Sequence, residues 1–362
     1  MSGLPEEAYW VAFNHLPGVG PRRFTCLLRH FGNARQAWLA PAAAFARVFP
    51  PGLAERLAAA RAGLSPAACW EEVGRKGLGL VLRSHDAYPP RLAGIDDPPF
   101  VLYYRGTLPA EEPAVAVVGS RRATPYGLAV AEKLGHDLAR AGVWVVSGLA
   151  RGVDMAAHRG ALAAGGRTVA VLGSGLNRIY PPEARSLARS IAEAGSVVSE
   201  FPPAAAPLAG NFPARNRIIS GLSLGVVVVE GGRQSGALIT ADMAAEQGRE
   251  VLAVPGPVTS EASRGPHALL RDGAALVESA ADVLETLGLP LPVAPATASL
   301  PEPDREERLL LAALGLEPRL PEELAAATGL APGLVLALLL ALETSGRVRR
   351  AGAGYVALAA GP

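Results

Sequence analysis

The sequence predicts an α/β fold: a parallel-sheet core preceded by a helical N-terminal domain and followed by a winged-helix domain. Residues 113–288 alternate continuous apolar runs with helical segments, residues 1–65 carry apolar positions at helical spacing, and the C-terminal tail reads as three helices and two short strand-like runs. With 362 residues, 50% hydrophobic and 19% charged, the chain is long enough for a large core plus satellite domains and is globular in composition.

In the first region, VAFNHLPGVGPRRFTCLLRHFG places the turn LPGVG between two amphipathic segments. Residues 66–112 are a connector: a helix around Ala67–Lys76, a short strand GLVLRS, then YPPRLAGIDDPPFVLYYRG, extended and turn-rich because of its paired prolines. In residues 113–288 the runs AVAVV, VWVVS, TVAVLG, SVVSE, GVVVVE and EVLAVPG do not alternate with polar residues. Both faces of such strands are buried, which means a parallel sheet with helices on either side, among them YGLAVAEKLGHDLARAG and GALITADMAAEQG. Residues 289–304, LPLPVAPATASLPEPD, read as a linker. REERLLLAALG, PEELAAATG and APGLVLALLLALETSG are the helices of the final domain, and RVRRAGAGYVAL is its wing.

The net charge of +1 gives no support by itself to a nucleic-acid partner, so any basic site must be local. Lys occurs only at Lys76 and Lys133; Arg supplies the rest of the 34 basic residues. A coding bias explains that total, so only the placement of each Arg counts. Cys26 and Cys69 are isolated, and no metal or cofactor is expected. The N-terminus has no basic stretch followed by an apolar one and no uncharged segment reaches membrane-spanning length, so a cytoplasmic location is expected.

Ligands of open parallel sheets bind at the carboxyl ends of the strands. Here the six strands empty into GSRRATPYG, SGLARGVD, GSGLNRIYPP, SEFPP, EGGRQSG and PGPVTS. Small residues let a ligand approach the backbone, and amides at helix starts favour anions, so six coincident signals predict an anion-binding edge. A dinucleotide site needs GxGxxG and an acidic residue about 20 positions on. The first turn has a single Gly before its arginines, the second strand ends in Ser147, and no GxxxxGK[ST] loop exists. In FPARNRIISGL, Arg215, Asn216 and Arg217 precede an apolar helix, where arginines oppose the helix dipole unless an anion pairs with them. Salt bridges to Asp154 or Glu200 are the other reading. Phe212 either stacks on a base or covers the core beside Pro213. Asp154 and His158, at i and i+4, are an acid/base pair or a capping carboxylate with a packed His.

GSRRATPYG, SGLARGVDMAAH, TVAVLGSGLNRIYPPE, SEFPP, FPARNRIISGLS and SGALITADMAAEQGREVLAVPG together resemble the DNA processing protein A (DprA/Smf) family across about residues 85–285. The resemblance implies an extended Rossmann-like core with a small helical N-terminal domain, of the helix-hairpin-helix or SAM-like kind, and a C-terminal winged helix. It implies sequence-independent binding of single-stranded DNA, a homodimer formed through the core, loading of RecA recombinase in natural transformation, and no enzymatic activity. By it, Arg121 of the GSR motif holds a backbone phosphate, Arg215, Asn216 and Arg217 form the RNR signature, and Ser235, Gly236 and Thr240 match the SGxLxT stretch. With the strand-end turns, the expected DNA-contacting set is Gly119, Ser120, Arg121, Gly148, Arg151, Gly173, Ser174, Arg178, Phe212, Arg215, Asn216, Arg217, Arg233, Ser235, Gly236 and Thr240. The chain departs from the family pattern at Gln234, where Lys or Arg is usual and Arg233 is adjacent, and at Ala184, Glu230-Gly231-Gly232 and His267.

LPGVGPRRF resembles the hairpin of helix-hairpin-helix modules. Gly18, Gly20, Arg22 and Arg23 are therefore a second DNA contact or a tight turn in a small bundle. The third helix of the winged-helix domain has no basic residue, and only Arg347, Arg349 and Arg350 of its wing are basic; this favours protein contact over duplex reading. The expected function is a single-stranded DNA-binding recombination mediator. The alternatives are a nucleoside-monophosphate enzyme of the lysine-decarboxylase-like phosphoribohydrolase type, whose PGGxGTxxE motif Glu230-Gly231-Gly232 and Glu246 partly echo, and a transcription regulator.

Overall fold

Valine-rich runs pack well on a pleated surface buried on both sides, and all six predicted runs become strands of one sheet. The structure, a computed structural model, describes residues 3–291, 303–314, 318–344, 347–351 and 354–357. They divide into two compact units, Met1–Leu291 and Pro292–Pro362.

The first unit begins with helices α1 (Glu6–Asn14), α2 (Pro21–Phe31), α3 (Ala34–Leu39), α4 (Pro51–Ala62) and α5 (Pro66–Arg75). The sheet follows: β1 (Gly79–Leu82), β2 (Val101–Gly106), β3 (Ala114–Val118), β4 (Trp144–Ser147), β5 (Thr168–Val171), β6 (Ser196–Ser199), β7 (Gly225–Val228), β8 (Glu250–Ala253) and β9 (Ala275–Leu276). Its spatial order is β1-β2-β6-β5-β4-β3-β7-β8-β9, parallel from β6 to β9, with β1 and β2 antiparallel at one edge. The intervening helices are α6 (Pro90–Ala93), α7 (Pro125–Arg140), α8 (Val153–Ala163), α9 (Arg185–Ala194), α10 (Asn211–Gly221), α11 (Gly236–Glu246), α12 (Arg264–Arg271) and α13 (Ala280–Thr286).

Side chains of β3 explain the unbroken apolar runs. Ala114, Ala116 and Val118 enter one layer with Ile218, Ile219 and Ala241 of α10 and α11. Val115 and Val117 enter the opposite layer with Leu134, Leu138, Ala157 and Val283 of α7, α8 and α13. The N-terminal helices share a third cluster with the sheet: Phe13, Phe24 and Phe45 bury with Phe100, Tyr103 and Leu172. Phe24 of α2 stacks on Phe100, just before β2, at 4.1 Å between ring centroids.

The reading of residues 66–112 needs correction. Its helix and short strand are α5 and β1, but VLYYRG is not loop: it is β2, antiparallel to both β1 and β6. The prolines that suggested a turn-rich connector only delimit this strand, and the Tyr103 hydroxyl donates to Asn14 Oδ1 at 3.0 Å, fastening β2 to α1. The two-residue β9 was likewise not anticipated.

The second unit contains α14 (Arg305–Ala313), α15 (Pro321–Thr328), α16 (Pro332–Thr344) and an antiparallel wing, β10 (Val348–Ala351) and β11 (Gly354–Ala357). Leu310, Leu324, Val335, Leu339 and Val348 form its core. Of the predicted linker, residues 292–302 lie outside the described residues, as do 352–353 between the wing strands. Among the described residues no single helix is long and apolar enough to cross a membrane.

Candidate nucleic-acid interface

The chain leaves β3 for β4 on one side and, after β6, returns along α10 to β7 on the other. Strand ends diverge at such a switch point and leave a crevice. A cavity of about 350 Å³ occupies it, walled by the β3 turn (Gly119, Arg121), α10 (Phe212, Arg215, Asn216) and the start of α11 (Ser235, Gly236, Thr240). Two further cavities share Arg121. A shallow one of about 40 Å³ is bordered by Gly148, Arg151, Tyr180, Phe212 and Arg215. An open one of about 520 Å³ is bordered by Ser120, Arg233, Gln234, Ser235 and Glu261. Arg121, exposed, thus stands where three spaces meet, its guanidinium carbon 5.2 Å from the centre of the half-buried Phe212 ring.

The floor of the crevice is polar and buried. Arg215 is only 4% exposed; it donates through Nη1 to the Val171 carbonyl, and its Nε has no partner among the described residues. Burial pushes its pKa down to about 10, opposed by the Asp154 carboxylate and reinforced by Arg121. A Cβ on Gly148 would overlap the Arg215 guanidinium, so only glycine lets β4's turn lie against it. Asp154 accepts from the amides of Gly148 at 3.1 Å and Ala150 at 3.3 Å, tying that turn to the first turn of α8. Its pKa is raised by burial against the counter-effect of Arg215. His158 lies 2.7 Å from Thr168 Oγ1, which gives its own proton to the Val145 carbonyl at 2.6 Å. Nδ1 of His158 is therefore the donor, and Nε2 is an acceptor with no partner among the described residues. Burial depresses this imidazole to about 3, so it is neutral. The two residues are a capping carboxylate and a packed His, not an acid/base pair.

Asn216 and Thr240 both donate to the Gly236 carbonyl, at 3.3 and 3.4 Å, and Ser235 caps α11 by accepting from the Ala237 amide. Arg151 pairs with Glu183 at the outer end of the shallow cavity.

The structure does not bring every expected residue to this crevice. Arg217 turns away: its Nε contacts Asp97 Oδ2 at 3.1 Å, and its terminal nitrogens grip Glu200 at 2.5 and 2.7 Å. Its contacts are those of the salt-bridge reading: its guanidinium is held between two carboxylates and lines none of the three cavities. Gly173 and Ser174 sit behind the crevice. A Cβ on Gly173 would come within 2.8 Å of the Phe212 ring, and Ser174 is buried with its hydroxyl on the Arg178 carbonyl at 2.7 Å. Arg178 points to solvent and lines none of the three cavities.

Glu230 is 3% exposed and accepts from the Thr124 amide and hydroxyl at 2.9 and 2.5 Å, seating the start of α7. It is no free acid for nucleotide chemistry. Tyr180 and Glu183 were not singled out from the sequence, although both stood in the quoted YPPE stretch. Gly18, Gly20, Arg22 and Arg23 form the α1–α2 hairpin, where Arg23 donates to the Gly18 carbonyl at 2.5 Å. Arg22 borders a separate cavity with Asp97 and Arg217. Among the described residues no cluster of three or more His, Cys, Asp or Glu could hold a metal.

Fold and site together define a Rossmann-like protein with an arginine-lined switch-point crevice and a winged-helix appendage. Residues 79–288 match the family model of DNA recombination-mediator protein A, and residues 294–354 match that of the DprA winged helix domain. The chain belongs to the DNA recombination-mediator protein A family. It is 37% identical to Protein Smf of Synechocystis over 95% of this chain and 96% of that protein. Among solved structures it is similar to DNA processing protein A of Streptococcus pneumoniae, with TM-score 0.69, 35% identity, and 78% and 98% of the two chains covered. It is also similar to the Helicobacter pylori protein described for its single-stranded DNA binding mode, with TM-score 0.52, 29% identity, and 58% and 95% covered.

Proposed function

We propose that this chain binds single-stranded DNA without sequence preference in the switch-point crevice and acts as a recombination mediator in natural transformation, passing the strand to RecA. The observation that carries the reading is Arg121 lying over Phe212 where three cavities meet. A guanidinium supplies the phosphate contact and a ring the stacking surface, which is what sequence-independent binding requires. The Helicobacter relative, described as a single-stranded DNA binder, supports the ligand. With a net charge of only +1, a homodimer that aligns two local sites on one strand supplies the remaining attraction. In this role the protein is a cytoplasmic binder, not an enzyme: Asp154, His158 and Glu230 are all engaged in holding the fold.

Gel shifts with poly-dT and with duplex, scored beside RecA filament formation on protein-coated strands, test the reading. Absence of a single-strand preference overturns it. Arg121→Ala is expected to weaken binding to all sequences and to lower the slope of log affinity against log salt by about 0.7. Unchanged affinity and slope would remove Arg121 from the contact.

A further inference from the structure

The exposed tyrosines differ in how they are held. Tyr126 is 46% exposed, but its hydroxyl donates to the Pro255 carbonyl at 2.9 Å and fixes the ring to the fold. Tyr180 is 42% exposed and, among the described residues, its hydroxyl has no hydrogen-bond partner. Its ring lies 5.6 Å from that of Phe212 at 51°, on the side of the shallow cavity.

Phe212, Arg121 and Arg215 border both the 350 Å³ cavity and the shallow one, so the Phe212 ring is a partition between two adjacent spaces. The larger space accommodates a base. The smaller, about 40 Å³, is too small to enclose a base, so a base at its mouth would rest against Tyr180. Beyond it stands Arg151, its guanidinium engaged by Glu183, both side chains well exposed and so open to exchange of the carboxylate for a phosphate.

We propose that Phe212 wedges between two successive nucleotides and that Tyr180 is the stacking platform for the second, carrying the strand from the crevice toward Arg151. The proposal rests on the single-stranded DNA reading above and goes beyond it in assigning Tyr180 a place.

The test uses the full chain, a fluorescently labelled oligo-dT and anisotropy titrations at several salt concentrations. Tyr180→Ala and Tyr180→Leu should each weaken binding about tenfold with an unchanged salt slope, because a stacking surface and no phosphate contact is lost. Tyr180→Phe should bind like the wild type and keep its melting temperature, and the affinities of Tyr180→Ala and Tyr180→Leu are read on the folded fraction because the ring also packs on Phe212. Wild-type affinity in Tyr180→Ala overturns the proposal, as does a loss in Tyr180→Phe equal to that in Tyr180→Ala, or a fall in slope. Failure of the wild-type chain itself to bind oligo-dT would instead overturn the single-stranded DNA reading, and the wedge with it.

Discussion

Arg215 and Arg217 stand two positions apart on α10 and meet opposite environments. Two residues span about 200° of helix, so their side chains leave on different faces. Arg215 enters the crevice floor, whereas Arg217 reaches Glu200 and Asp97. The sequence identified the cluster and named Glu200 as a possible partner, but Asp97 lies 120 positions away, in a segment read as connector. Arg217→Ala should therefore act on stability more than on DNA. Leaving the largely buried Glu200 unpaired is expected to cost roughly 3 kcal/mol, read from chemical denaturation, with oligo-dT affinity of the folded fraction unchanged. His158 sets a pH dependence. In the unfolded chain it titrates near 6.5, and in the fold at about 3. The stability tied to its neutral form is complete above pH 6.5 and is lost as pH falls toward 3, because the unfolded state binds the proton first. Denaturation midpoints measured across that window should fall with acid, and His158→Asn should flatten the decline.

At the scale of elements, strands β3 to β7 were legible because both faces of each are buried, which leaves no polar residue to interrupt the run, and β8 followed them although Glu250 at its start is exposed. β2 was not, since it lies between proline-rich turns and its pairing with β6 joins residues nearly a hundred positions apart. The turns that build the crevice were legible from glycine, serine and arginine, but their mutual contacts were not. Gly152 has φ of +80°, and a Cβ there would strike the Ser120 carbonyl, so the turns after β3 and β4 meet through this residue. Gly152→Ala should cost at least about 1 kcal/mol from backbone strain alone and weaken oligo-dT binding with it. Thermal melts beside anisotropy titrations check both; loss of neither would show that the two turns relax independently.

For the whole molecule, every described residue that lines the crevice falls within Met1–Leu291. α16 carries no basic residue and exposes Leu336 and Leu340, a surface with nothing to offer a phosphate. A chain ending at Leu291 should thus fold and bind oligo-dT with the affinity of the full chain; a large loss would move part of the binding surface into the winged-helix unit. The N-terminal helices cannot be removed in the same way. Phe24 stacks on Phe100, and their cluster runs into β2 and β5, so the α1–α2 hairpin is welded to the sheet and does not swing on a hinge. Arg22, at the start of α2, is therefore carried on the same rigid body as Arg121. The crevice thus has a rigid rim on its N-terminal side: whatever enters it meets a wall already in place and not a flap that closes afterwards.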